Sequence, residues 1–281
     1  MLIEKKYRPW IRSLTYAVLT GFAVYTLFPF LWMLGTSIKP PAEVRSAAPS
    51  FITLHPTLEH YNNILVQSKF SLYFYNSLKV SLITTVLSLA ISIFSAYALS
   101  RLTRVPGVRY VSTGMMLTQL IPSVLLVPPL YVFMMKAHLL DTFFSIILAY
   151  TTFTLPMCVM MLKGFFDSIP YEMEESAMID GCSRLGIVFR MIIPLSSPSL
   201  IATALYAFIG AWNEFLFAFT FINKDDFRTL TPGVSLLRGL YTTNWGSMMA
   251  ASVLSVVPIA LAFAYLQRFL VEGLTAGSVK G

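Results

Sequence analysis

The 281-residue sequence is 56% hydrophobic and 12% charged, with a mean hydropathy of +0.71. A soluble surface needs roughly a quarter charged residues to stay solvated, so a chain facing only water is excluded. Lys and Arg outnumber Asp and Glu by 20 to 13 (net +7), but they fall between apolar stretches and not on one face. That pattern points to a membrane and away from nucleic acid.

Six charge-free intervals organise the chain: Arg12–Lys39, Lys79–Arg101, Arg109–Lys136, Asp141–Lys163, Arg190–Glu214 and Arg238–Arg268, each enclosing 21 to 29 residues. A helix needs about 20 residues to cross the hydrocarbon core. The spacing predicts an all-α membrane protein with six spanning helices over about 13–37, 72–100, 110–135, 142–163, 199–222 and 248–268. The apolar runs are continuous, which argues against the alternating strands of a membrane barrel. With six spans both termini share one side, and that side carries twelve Lys and Arg against eight on the other. Both termini are therefore expected in the cytoplasm. The first span is longer than a signal-peptide core and no small-x-small site follows it, so it is expected to be retained.

The external loop 39–70 contains Pro40, Pro41, Pro49 and Pro56. It is expected to be ordered without a long helix. His55 and His60 lack flanking Cys or carboxylates and read as ordinary loop histidines. Pro122, Pro128 and Pro129 in the third span free backbone carbonyls that need other partners in lipid. They fit a transporter kink or a static packing feature. Cys158 and Cys182 have no metal-ligand spacing and read as small apolar residues.

The cytoplasmic loop 167–197 carries the strongest signals. Pro170 suits a first helical turn, Glu172, Glu174 and Glu175 complement a helix N-terminus, and Gly181 suits a left-handed stop. Ile169, Met173 and Ala177 recur every four residues as a narrow apolar stripe. A second short helix is expected from Ser183 to just before Pro194. Such a stripe makes no core of its own, so the loop lies on the membrane surface or docks on a partner.

The run Glu175-Ser176-Ala177, Asp180-Gly181 and Pro194 resembles the EAA loop of ABC importer permeases. Ser176 stands where the family has its first Ala, and Cys182 replaces another small residue. Two further stretches resemble carbohydrate permeases similar to the six-span subunit of the maltose transporter. They are Ala211-Trp212-Asn213-Glu214-Phe215, and Asn244-Trp245-Gly246 leading to the tail Gln267–Gly281. The three motifs in order, with six spans and matching loop lengths, extend the resemblance over roughly the whole chain.

The resemblance implies a type I ABC importer permease fold in the bacterial inner membrane. Its implied partners are a second permease subunit, two ATPase subunits, an extracytoplasmic sugar-binding protein and a carbohydrate substrate. No Gly-x-x-x-x-Gly-Lys motif is present to cradle a nucleotide. This chain is then a non-catalytic subunit without a cofactor of its own, and ATP and Mg are bound by the partner ATPase. The resemblance assigns ATPase coupling to Glu172, Glu174, Glu175, Ala177, Asp180, Gly181 and Pro194. It assigns ATPase contact to the tail 269–281 through Gly273, Thr275, Gly277 and Lys280. The loop 223–247, with Asp225, Asp226, Arg228 and Asn244, is similar in position to the scoop loop that enters the binding protein.

Glu214 is the single carboxylate expected inside a span, where a charge costs at least about 2.5 kcal/mol unless it faces the bundle, a partner or water. Trp212, Asn213, Glu214 and Gln119 therefore line a sugar path or hold subunits together through hydrogen bonds. Two other classes are weaker. An ion-gradient transporter would carry inverted repeats and several buried ionisable groups. An intramembrane enzyme would need a catalytic constellation within the spans.

Overall fold

The computed structural model describes residues 8–46, 50–239 and 243–276, with side chains described over 10–46, 50–239 and 243–267. Among the described residues the chain is helical and contains no strand. The helices are α1 (Arg8–Ser37), α2 (Pro41–Val44), α3 (Glu59–Val66), α4 (Phe70–Arg101), α5 (Val108–Thr118), α6 (Ser123–Lys136) and α7 (Phe143–Phe166). They continue as α8 (Tyr171–Ile179), α9 (Arg184–Ile187), α10 (Ile193–Leu195), α11 (Ser197–Asn213), α12 (Leu216–Phe221), α13 (Leu230–Ser235) and α14 (Trp245–Ala276). Within α1, α4, α7 and α14 are four segments long and apolar enough to span a bilayer, and two sharply bent pairs raise the total to as many as six.

Two compact units make up the chain. The first comprises residues 1–70 and 236–256. Here Phe28, Trp32 and Phe51 cluster with centroids 5.7–6.1 Å apart, and the Lys39 ammonium lies 5.0 Å from the Trp32 ring centre. Lys39 is 3% exposed, and its ammonium donates to the Ser50 carbonyl. The Ser37 and Tyr61 hydroxyls meet at 2.8 Å, and the Thr57 amide donates to the Ile38 carbonyl at 2.7 Å. These bonds hold the proline-rich segment in place with only the short helices α2 and α3. His60 is buried on α3, with Nε2 at 3.0 Å from the Lys39 carbonyl oxygen.

The second unit comprises residues 71–235 and 257–281. One core cluster gathers Val80, Met134, Ile146, Tyr150, Ala211, Phe217 and Phe221, and another gathers Ala96, Leu99, Val159, Leu162, Phe166, Ile187 and Ile192. A buried row of small hydroxyl residues on α4 (Ser77, Ser81, Thr84, Ser88 and Ser92) lets backbones approach closely, and Ser88 bonds Thr154 of α7 at 2.9 Å.

Three expectations of continuity fail. The third span is two helices, α5 and α6, bent by 98° across Gln119–Pro122. Pro122 drives this break, since it lacks an amide proton and disfavours helical backbone at Ile121. Pro128 and Pro129 stay inside α6. The fifth span is interrupted after Asn213, where Glu214 turns extended with ψ 130°. The helix after Ser183 also does not stop before Pro194. It passes through a π turn at Val188–Ile192 into α10, and then bends by 82° into α11. The wider π turn eases the clash that the Pro194 ring makes with the carbonyl four residues back.

Candidate functional site

The loop 167–197 is built around α8. Pro170 caps its start with ψ 136°, and Glu172 and Glu174 occupy its first turn. It ends as the sequence predicts: Gly181 has φ +84°, the Gly181 amide donates to the Met178 carbonyl at 3.0 Å, and the Cys182 amide donates to the Ala177 carbonyl at 2.9 Å. This pair of bonds is the Schellman arrangement, which needs a left-handed residue just past the helix. Ser183 opens the next helix, its hydroxyl accepting the Gly186 amide at 3.1 Å.

The stripe Ile169–Met173–Ala177 is not the outer face of this loop. Ile169 is buried, Ala177 half-buried and Met173 43% exposed. The inward face is Glu174, Ala177 and Met178, and the last two pack on the second core cluster. Ile169 precedes the first turn of α8, so a helical period does not extend to it.

Glu174 is 1% exposed. Its carboxylate accepts from Arg101 Nε at 2.5 Å and from the Tyr97 hydroxyl at 2.8 Å, both at the C-terminal end of α4. Arg101 also donates to the Ile169 carbonyl at 3.3 Å and to the Ser100 hydroxyl at 3.0 Å. Ser100 in turn donates to Asp167 at 2.6 Å, and Lys163 pairs with the other oxygen of Asp167 at 2.6 Å. Glu174 therefore faces the chain's interior, unlike the exposed Glu172 and Glu175. Removing one partner of a buried pair costs about 3–5 kcal/mol, because the other charge is left without compensation. Glu172, Met173, Glu175, Ile179, Asp180 and Leu185 form a mixed acidic and apolar outer surface, and Gly181 and Pro194 are also exposed.

With this loop in place, the comparisons with known proteins are decisive. Residues 88–275 match the family described as binding-protein-dependent transport system inner membrane component. The chain belongs to this family. The permease is 41% identical to the inner membrane ABC transporter permease protein YcjP of Escherichia coli (strain K12), over 95% of each chain. It is 37% identical to the sulfoquinovosyl glycerol transport system permease protein SmoH of Agrobacterium fabrum (strain C58 / ATCC 33970), over 91% of this chain and 89% of that one. Its fold matches, with a TM-score of 0.79 and 23% identity, a chain in the crystal structure of a bacterial ABC transporter involved in the import of the acidic polysaccharide alginate. That match covers 95% of the permease and 99% of the other chain. Carbohydrate permease family and all-α membrane fold are thus as the motifs imply, and the relatives are transport components, not enzymes.

The break after Asn213 separates Trp212 and Asn213 from Glu214. Trp212 is 2% exposed, stacked on Phe208 at 5.7 Å and edge-on to Phe74 at 5.4 Å, so it packs within the unit. Asn213 is exposed. Glu214 is not a lone charge inside a helix: its carboxylate accepts the amides of Phe217 at 2.9 Å and Ala218 at 3.2 Å, capping α12. The Thr231 hydroxyl donates to the Glu214 carbonyl at 2.5 Å. Glu214 sits one residue before the N-cap position, which Phe215 occupies, so no ordinary cap residue marks the break beforehand. Gln119 ends α5 and lines an apolar cavity of 610 Å³ between α5, α6 and α7.

The start of the 223–247 loop is firmly held. Asp225 pairs with Arg228 at 3.1 Å, and Arg228 also donates to the Asn223 carbonyl at 2.9 Å. The Asn76 amide donates to the carbonyls of Asp226 and Arg228, both at 2.9 Å, and the Leu230 amide donates to the Ser77 hydroxyl at 2.8 Å. Asp141, used above only as a span boundary, accepts the amides of Asn223 at 2.6 Å and Lys224 at 2.9 Å. Its φ is 57°, a left-handed backbone that Asp tolerates better than most residues. In the other unit, Asn244 caps α14 by accepting the Ser247 amide at 3.1 Å. The backbone of α14 runs through Gly273 and Thr275, while Gly277 and Lys280 lie outside the described residues.

Proposed function

We propose that this permease moves a sugar or sugar derivative across the bacterial inner membrane by alternating access, driven by ATP that separate subunits bind with Mg and hydrolyse. The complex would contain a second permease, two ATPase subunits and an external binding protein. The observation that carries this reading is the preformed 167–197 loop. Its outer surface presents Glu172, Met173, Glu175 and Ile179, while its inner face is ion-paired to α4. Such a surface suits a cleft on a partner that transmits force.

In this reading the chain crosses the membrane six times, with each bent pair counted as one span and both termini in the cytoplasm. The tail around Gly273, Thr275, Gly277 and Lys280 meets the ATPase. Asp225, Asp226, Arg228 and Asn244 face the binding protein. Asn213, exposed beside the Glu214 break, borders the sugar path or the second permease, with Gln119 as a further candidate. The name of the SmoH relative makes an anionic sugar glycoside the first cargo to test.

The test is co-purification of the tagged chain, in mild detergent, with an ATPase from its native cell. The comparison is Gly181→Val, which forces a β-branched residue into left-handed backbone at φ +84°. Retention by wild type and loss by the variant is the expected result. Failure of wild type to bring down any ATPase would sink the reading.

A further inference from the structure

We infer that α4 is a two-ended strut that makes the 167–197 loop and the 223–235 segment move as one body, with Arg101, Glu174 and Asn76 as positioning residues. The inference rests on the proposed function, in which one loop meets an ATPase and the other a binding protein.

Each end of α4 carries a clasp made by its own side chains. At the C-terminal end, Arg101 and Tyr97 hold the Glu174 carboxylate at 2.5 and 2.8 Å, and Ser100 holds Asp167 at 2.6 Å. At the N-terminal end, Asn76 holds two carbonyls of the 223–235 segment at 2.9 Å, and Ser77 holds the Leu230 amide at 2.8 Å. The central member of each clasp is dry: Asn76 and Ser77 are 3% exposed and Glu174 is 1% exposed, while Asp167 at the edge of the C-terminal clasp is exposed. Low local dielectric strengthens such bonds and makes breaking them costly.

The rod between the clasps is stiff. Ser77 and Arg101 are separated by about 36 Å at helical rise. Sharp kinks in helices occur mainly at proline, at glycine or serine pairs, or at π turns. Among the four long helices, α1 contains Pro29, α7 contains Pro156 and α14 contains Pro258, whereas α4 contains neither proline nor glycine and, with its serines, still runs as one helix from Phe70 to Arg101. The other two span candidates are bent by 98° and 82°. Among the described residues of this unit, α4 is thus the one long, unbroken, proline-free path joining the two loops. A displacement of α8 is delivered to Asp226 and Arg228 without being absorbed at a hinge.

The test is a pulsed electron–electron distance measurement on the complex in nanodiscs, with spin labels at Tyr171→Cys and Lys224→Cys in a Cys158→Ser, Cys182→Ser background. The wild-type distribution is expected to be narrow and to coincide in nucleotide-free and ATP–vanadate states. Glu174→Gln and Asn76→Ala are each expected to broaden it about twofold, because a freed clasp lets its loop sample more than one position. The reversed pair Arg101→Glu, Glu174→Arg should be narrower than either single reversal, a rescue that general destabilisation does not produce. Should Glu174→Gln fold poorly, Tyr97→Phe removes one bond only and is expected to broaden the distribution by less. A wild-type shift larger than about one helical turn, 5.4 Å, between the two states overturns the strut. So does a set of clasp variants as narrow as wild type. If no ATPase is retained, the proposed function fails, while the nucleotide-free widths still decide the clasp question.

Discussion

The Glu214 carboxylate accepts the Phe217 amide at 2.9 Å, so the acid that follows α11 caps the start of a new helix. Its charge is spread over two backbone donors, the second being Ala218 at 3.2 Å. Replacement by Ala leaves those amides unpaired in an apolar setting, at a cost of about 1–3 kcal/mol. Glu214→Gln keeps one acceptor oxygen and should lose less. Thermal unfolding of the purified protein, followed by monodisperse peak height, should rank wild type above Gln and Gln above Ala. An Ala variant as stable as wild type would remove the capping role.

Gly246 packs against His60 so closely that a Cβ there would lie 2.1 Å from the imidazole. Gly246→Ala should therefore destabilise by about 1–3 kcal/mol through overpacking. Truncating the ring makes room, so His60→Ala should partly rescue Gly246→Ala in the double variant. Purely additive losses in the same thermal assay would contradict this packing account.

Cys158 is fully buried and Cys182 half-buried beside the Gly181 turn. In the isolated chain a maleimide should modify Cys182 well before Cys158, and Cys158 only on unfolding. Mass spectrometry of tryptic peptides reads both sites. Equal rates would contradict the burial of Cys158.

Ser183→Ala deletes the acceptor of the Gly186 amide and should cost about 1 kcal/mol at that helix start. Because the lost bond is local, hydrogen exchange should quicken over residues 184–187 and remain unchanged within α4. An unaltered exchange pattern would show that the cap contributes nothing.

Much of the architecture was legible because lipid and backbone chemistry leave few choices. Six charge-free intervals of spanning length each correspond to a long helix or a bent helical pair, and Gly181 ends α8 as its backbone freedom suggests. What escaped depends on partners distant in sequence. Nothing local to Glu174 and Glu175 says which of them turns inward. Arg101, 73 residues earlier, decides it. The break at Glu214 likewise depends on Thr231, whose hydroxyl takes the freed carbonyl. The break at Pro122 was concealed by Pro128 and Pro129, which carry the same sequence signal yet sit inside α6.

The closed turn at Gly181 and the cap at Ser183 bear on how an assembly would form. Both are completed by bonds within this chain. The loop therefore enters assembly with its shape already set, and no folding entropy is charged to the encounter. Recognition can then proceed by rigid docking, at a rate governed by collision and orientation and not by loop ordering.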